Sequence, residues 1–321
     1  MKIVALEIKN IGEDVNLDMF SELGTFEKYS TSTVNDMPER CKGADVIIVN
    51  KLPVNEKTVG NIDTLKVVLI TATGFDNLDV PYLKSRGIKV CNVKGYSTDS
   101  VAQHTFALMF YVYEKLRAYD DFVKDGSYAR HDLFTYFDEL FFELKDKVWG
   151  IVGLGEIGRK VAKIATAFGC KVVYYSTSGK NSNSDYEQVD FDTLLKDSDI
   201  VSIHAPLNDN TRGLFDKNAF EKMKKSAILI NVGRGPIIND RDLTDALKNG
   251  DIQAAALDVL EKEPMDPNSP YFEIKDSRKL FITPHIAWAT REARQRCMME
   301  TFYNLKAIVN DEEPRNRLDL M

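Results

Sequence analysis

Three residues in the last third of the chain carry side chains whose chemistry fits together. Arg234 lies in Asn231-Val232-Gly233-Arg234-Gly235, Glu263 in Asp258-Val259-Leu260-Glu261-Lys262-Glu263-Pro264, and His285 in Thr283-Pro284-His285-Ile286-Ala287-Trp288. A guanidinium clamps a carboxylate through paired hydrogen bonds, an imidazole carries a proton, and a carboxylate holds that imidazole in its charged form. Together they describe chemistry on a polarised carbonyl. An arginine between two glycines at the end of an apolar run has little apolar surface to cover, which favours a ligand over a surface salt bridge. Which of Asp258, Glu261 and Glu263 faces the histidine stays open on residue logic alone.

These residues need strand ends to hold them. A second α/β unit opens at Lys147-Val148-Trp149-Gly150-Ile151-Val152-Gly153, and strand-like runs recur at Lys171–Tyr175, Ile200–His204, Ile228–Val232, Ala254–Val259 and Leu280–Thr283. Six strands interleaved with helices make a complete doubly wound nucleotide domain, whose ligands gather at the carboxyl ends of the strands. The first loop is Gly153-Leu154-Gly155-Glu156-Ile157-Gly158, between an apolar strand and a helix. Gly153 permits the tight turn, Gly155 lets the backbone approach a pyrophosphate, and Gly158 lets the helix press on the sheet. This implies a dinucleotide, and the cofactor preference turns on the end of the second strand. Ser176 stands where an acid would hold the adenosine ribose and repel a 2′-phosphate. The hydroxyls with Lys180 could greet that phosphate, yet no arginine is present to clamp it. NAD(H) is expected, with NADP(H) tolerated.

Upstream, Ile3–Ile8, Val46–Val49 and Val67–Ile70 alternate with helical segments, which implies another parallel α/β unit. Ser100 to about Glu114 reads as a long buried helix with Thr98, Asp99 and Ser100 as N-cap candidates. The last helical stretch, Arg291 to Asn310, is expected to pack back on the first unit, making it discontinuous. His104 reads as a packing residue or a neighbour of the phosphates, His204 as a cofactor contact, and His131 has no supporting context.

At 321 residues, with 44% apolar residues, the chain suits two domains with separate cores. A net charge of -7 excludes the basic face that nucleic acid or an anionic membrane requires. Lys222, Lys224 and Lys225 read as a solvated helix end. Cys41, Cys91, Cys170 and Cys297 show neither CxxC pairing nor metal-type spacing, so no metal is expected and reduced, buried thiols in a cytoplasmic enzyme are. No signal peptide and no membrane-spanning apolar run is evident.

In their order along nearly the whole chain, the glycine motif, Asn-x-x-Arg-Gly, Asp-Val-x-x-x-Glu-Pro and Thr-Pro-His segments resemble the D-isomer-specific 2-hydroxyacid dehydrogenase family. Within it the chain looks most like bacterial glycerate dehydrogenases, or hydroxypyruvate (glyoxylate) reductases. That likeness rests on Val90-Cys91-Asn92-Val93-Lys94-Gly95-Tyr96, Gln103-His104-Thr105-Phe106-Ala107-Leu108 and His285-Ile286-Ala287-Trp288-Ala289 with Arg291-Glu292-Ala293-Arg294-Gln295-Arg296.

The resemblance implies an α/β protein of two Rossmann-like doubly wound domains: a flavodoxin-like substrate domain from residues 1–98 and 289–321, and an NAD(P)-binding Rossmann domain from 99–288. It implies a homodimer acting on a small 2-keto/2-hydroxy acid pair with NAD(H). Arg234, Glu263 and His285 become the catalytic trio. The implied cofactor contacts are Thr105, Gly153, Gly155, Glu156, Ile157, Gly158, Ser176, His204, Ala205, Pro206, Thr211, Val232, Gly233, Arg234, Asp258, His285 and Ala287, with Asp258 on the nicotinamide carboxamide. Substrate would meet Lys51, Thr73, Gly74, Phe75, Arg234, His285 and Trp288, with Leu52 also walling the pocket and the 72–76 turn offering backbone amides to the carboxylate. Val232-Gly233 replaces the commoner Thr-Ala before the arginine. The alternatives are a D-lactate or branched-chain 2-keto acid reductase, a short phosphoglycerate dehydrogenase, and a non-catalytic, dinucleotide-sensing corepressor-like protein.

Overall fold

The computed structural model describes residues 1–179 and 183–320. The chain divides into two compact units, Met1–Ser97 with Trp288–Met321, and Thr98–Ala287.

The first unit is built on five parallel strands, β1 (Lys2–Ala5), β2 (Thr25–Lys28), β3 (Val46–Val49), β4 (Val67–Ile70) and β5 (Lys89–Cys91), in the order β2-β1-β3-β4-β5. Strands β3 and β4 are unbroken apolar runs buried along their whole length, as a parallel sheet covered on both faces demands. One face is covered by the helix Arg291–Val309, whose Met298, Phe302 and Leu305 pack against Ile3, Ala5, Ile48 and Leu69. Thr290 caps that helix by accepting the Ala293 N–H. The chain end returns to β5: Leu318 N–H donates to Val90 O, and Asp319 accepts the Val90 N–H at 2.9 Å.

The second unit carries seven parallel strands: β6 (Val148–Val152), β7 (Lys171–Tyr175), β8 (Glu187–Gln188), β9 (Ile200–Ile203), β10 (Ile228–Asn231), β11 (Ala254–Leu257) and β12 (Leu280–Ile282). Their order, β12-β11-β10-β9-β6-β7-β8, reverses direction between β6 and β9, which opens a crevice above the carboxyl end of β6. The helices Thr98–Tyr113 and Glu156–Ala167 share a core with β6 through Ala102, Phe106, Met109, Val161 and Trp149.

Several local expectations shift. The run Ile3–Ile8 yields only a short strand, because Glu7 is drawn into a buried hydrogen-bond set and a helical turn starts at Ile8. The long helix already begins at Thr98, so Asp99 lies in its first turn and Ser100 donates to Ala287 O rather than capping. Strand β8 is polar and two residues long, and no apolar run announces it.

Between the helix Leu116–Lys124 and β6, the chain exposes an apolar series: Leu133, Phe134, Phe137, Leu140, Phe141 and Phe142, with Phe134 88% exposed. Lys222 and Lys224 pair with Asp192 and Asp199. All four cysteines are free and buried, and burial pushes their thiols up to about 11 or 12. Among the described residues no helix is long and apolar enough to cross a membrane, and no cluster of metal-ligating side chains occurs.

Candidate active site

The second unit holds Arg234, Glu263 and His285 on loops that follow β10, β11 and β12. Asn231, the last residue of β10 and fully buried, braces the arginine turn: its Oδ1 accepts the Gly233 N–H at 3.0 Å and its Nδ2 donates to Arg234 O at 2.9 Å. Glycine is required next. A Cβ on Gly235 would lie 1.9 Å from both the carbonyl carbon and the oxygen of Leu260, so two backbones touch where a side chain would force them apart. Leu260 N–H in turn donates to Glu263 Oε1 at 3.0 Å, and Glu263 Oε2 meets His285 Nδ1 at 2.6 Å. Arginine turn, glutamate loop and histidine thus form one contiguous set.

Of the three acids near His285 in sequence, the other two are engaged elsewhere. Glu261 is exposed and lies within electrostatic reach of Asp240 and Tyr271. Asp258 is 1% exposed and organises the histidine loop. Its backbone oxygen accepts the His285 N–H at 2.8 Å, Oδ1 accepts Thr283 Oγ1–H at 2.6 Å and Ile286 N–H at 2.8 Å, and Oδ2 accepts Ala287 N–H at 2.8 Å. This set fastens His285 at φ 56, a left-handed conformation that a histidine keeps only when its surroundings impose it. Sequence reading assigned Asp258 to the nicotinamide carboxamide and gave no signal of this bracing.

The glycine loop suits a dinucleotide. Gly153 has φ 93, and a Cβ there would sit 2.8 Å from Ala205 N; one on Gly158 would sit 2.3 Å from Gly153 O, so helix and strand ends press together. A Cβ on Gly155 meets nothing within 4 Å, and no side chain caps the helix Glu156–Ala167 that starts beyond it. Open space before an uncapped helix N-terminus is what a pyrophosphate occupies. Glu156 is exposed and Ile157 half-buried beside it, and Val232 with Gly233 lies half-buried at the end of β10. In the second unit, two buried polar atoms just after strands have no hydrogen-bond partner among the described residues: Ser176 Oγ after β7 and His204 Nδ1 after β9. Burial pushes the His204 imidazole down to about 3, so it is neutral, with Nε2 3.0 Å from Ser202 Oγ. Lys180 lies outside the described residues.

Three expected cofactor contacts are occupied internally. Thr105 is fully buried and donates to Val101 O, which leaves its side chain no surface for a ligand. Thr211, also fully buried, donates to Pro206 O and accepts the Asn208 N–H, so it shapes the 206–211 loop. Ala287 is buried, with its N–H on Asp258 and its oxygen accepting from Ser100.

In the first unit the expected substrate residues sit at the ends of β3 and β4. Glu7, absent from the sequence reading, holds the loop that carries Lys51: its carboxylate accepts the N–H groups of Asn50, Lys51 and Leu52 at 2.7 to 3.1 Å. Leu52 packs into the core, not onto a pocket wall, because that loop turns it inward. Asn92 Nδ2 donates to Thr73 O and Thr73 Oγ1 to Val93 O, fixing the turn that contains Gly74, while Phe75 is 37% exposed. Trp288 stands edge-on to Tyr96 at 6.3 Å, against Val93, Ala293 and Cys297.

Fold and site together define a dinucleotide-dependent dehydrogenase. The family described as D-isomer specific 2-hydroxyacid dehydrogenase, NAD binding domain, matches residues 106–287. The chain is 32% identical to the glycerate dehydrogenase of Methylorubrum extorquens over 309 residues, covering 96% of each chain. It is 35% identical to the hydroxypyruvate reductase of Blautia hydrogenotrophica over 314 residues, covering 95% of this chain and 96% of that one. The crystal structure of Aquifex aeolicus D-lactate dehydrogenase complexed with NAD and lactic acid superposes with a TM-score of 0.86 at 28% identity, covering 99% of each. The chain belongs to the D-isomer-specific 2-hydroxyacid dehydrogenase family. It is an NAD-dependent oxidoreductase acting on CH–OH donors.

Proposed function

We propose that the protein reduces small 2-keto acids, with hydroxypyruvate and glyoxylate preferred, to the D-2-hydroxy acids with NADH. The 2.6 Å contact between His285 Nδ1 and Glu263 Oε2 carries the mechanism, because it assigns the two ring nitrogens different tasks. Nδ1 is committed to the carboxylate, so Nε2 is the nitrogen that gives a proton to the keto oxygen as hydride reaches the adjacent carbon. The nicotinamide, when bound, supplies the hydride. Arg234 clamps the substrate carboxylate and stabilises the growing charge on oxygen. In the reverse direction neutral His285 takes the proton. The first unit would supply the substrate domain, with Lys51, Thr73, Gly74, Phe75 and Trp288 reading the substrate. The choice of hydroxypyruvate and glyoxylate rests on the relatives' names.

A panel of hydroxypyruvate, glyoxylate, pyruvate and branched 2-keto acids, assayed with NADH and NADPH, tests this. Hydroxypyruvate or glyoxylate should give the highest kcat/KM, and a preference for pyruvate or branched substrates would overturn the substrate assignment. Ser176 offers no charge against a 2′-phosphate, so NADPH should serve less well but measurably. A preference for NADPH above about tenfold, or about 1.4 kcal/mol, would reverse the cofactor order.

The exposed series Leu133 to Phe142 supports a homodimer, since a run of large apolar side chains left exposed in this way suits an interface. Four free, buried thiols agree with a reducing, cytoplasmic setting.

A further inference from the structure

His104 is the one histidine of the second unit that reaches the His285 loop from outside it. It projects from the helix Thr98–Tyr113, 20% exposed, and its Nε2 lies 3.0 Å from Thr283 Oγ1 and 3.6 Å from Asp258 Oδ1. The direction of each bond follows from proton counting. Asp258 accepts backbone N–H groups on both oxygens, and the single Thr283 hydroxyl proton goes to its Oδ1 at 2.6 Å. Thr283 Oγ1 then has only lone pairs left, and His104 donates Nε2–H to it. Burial lowers the basicity of His104, outweighing the attraction of Asp258, in keeping with a neutral ring protonated on Nε2.

We propose that His104 is a positioning residue for proton transfer, fixing through Thr283 and Asp258 the loop that aims His285. The proposal rests on the reading of His285 as the proton carrier. Without the His104 donor, Thr283 can turn its hydroxyl away, and Asp258 loses a side-chain partner on the neighbouring helix, to which Ser100 still ties the loop through Ala287 O. The loop's backbone bonds remain, so the fold persists while the aim of the imidazole loosens. The expected mark is therefore a fall in kcat with little change in KM for the keto acid.

His104→Leu, His104→Gln, Thr283→Val and the His104→Leu/Thr283→Val double variant test the relay, with His285→Ala assayed in parallel. His104→Leu should lower kcat about three- to tenfold, the equivalent of one hydrogen bond. Gln, whose amide can present an N–H at the same position, should restore kcat to within about twofold. The double variant should lose no more than the worse single variant, because both cut one chain of bonds. Wild-type kcat in His104→Leu, failure of Gln to rescue, or losses that multiply in the double variant would overturn the proposal. A nearly inactive His285→Ala beside a fully active His104→Leu would sink the relay alone; an active His285→Ala would take the proton-carrier reading with it.

Discussion

Replacing Gly235 by alanine tests the interlock between the arginine and glutamate loops. The new methyl would lie 1.9 Å from the Leu260 carbonyl, and ordinary contact begins at 3.4 Å, so the two backbones must separate by about 1.5 Å. Neither segment yields easily, since Asn231 pins one and Leu260 N–H is bound to Glu263 in the other. The displacement passes to Arg234, to Glu263, or to both. A misplacement of about 1 Å at reacting groups costs on the order of 10²-fold in rate, and overpacking costs about 1–3 kcal/mol of stability. Gly155→Ala is the matched control, because its methyl meets no atom within 4 Å and instead fills the space assigned to the pyrophosphate. Steady-state kinetics with hydroxypyruvate and NADH, beside thermal melts, separate the two. Gly235→Ala should lower both kcat/KM and Tm; Gly155→Ala should melt near the parent protein and raise KM for NADH. If Gly235→Ala kept kcat/KM within about threefold, the loops would not act as one set, and the reasoning would be refuted.

Removing the imidazole in His285→Ala should cost about 10²- to 10⁴-fold in kcat, measured by NADH oxidation, with Tm little changed. Asp319 should give the first unit an acid-sensitive fastening. Burial pushes its carboxyl up, but Arg317 and the Val90 N–H more than offset this, and the group sits below its ordinary 3.8. A depressed carboxyl contributes stability above the unfolded value and loses it as pH falls through the folded one. Denaturant titrations should find Asp319→Asn weaker by about 1–3 kcal/mol at pH 7, with the gap to the parent protein closing below pH 4. Sedimentation tests the proposed homodimer: the parent protein should run as a dimer, and replacing Phe134 and Phe137 by serine should shift it to monomer without loss of secondary structure.

How much of this was legible in the sequence depends on the distance over which a residue acts. The strands β6, β7, β9, β10, β11 and β12 announce themselves because short, largely apolar runs between helical stretches leave a parallel strand few other fates. The glycine loop was readable because each glycine answers a local demand. Glu7 was not, since its partners at Asn50, Lys51 and Leu52 lie more than 40 residues away and nothing local marks a carboxylate that will accept three backbone N–H groups. Asp258 shows the opposite failure: its importance was visible, but only the fold shows its oxygens spent on the loop that holds His285. The exposure of the aromatic stretch before β6 is not legible, because composition cannot tell a core residue from one left outside it.

The 2.6 Å pair of His285 and Glu263, and the turn that presents Arg234, all belong to one sheet, whereas Lys51, Gly74 and Phe75 belong to the other. On the proposed roles, proton delivery and substrate choice are inherited on separate pieces of chain. Under those roles a change in the 50–52 or 72–76 loops should alter which acid is preferred while leaving the spacing of imidazole and carboxylate untouched. Such a division lets one chemistry be retuned to many substrates by small steps, each free of the risk of losing the reaction itself.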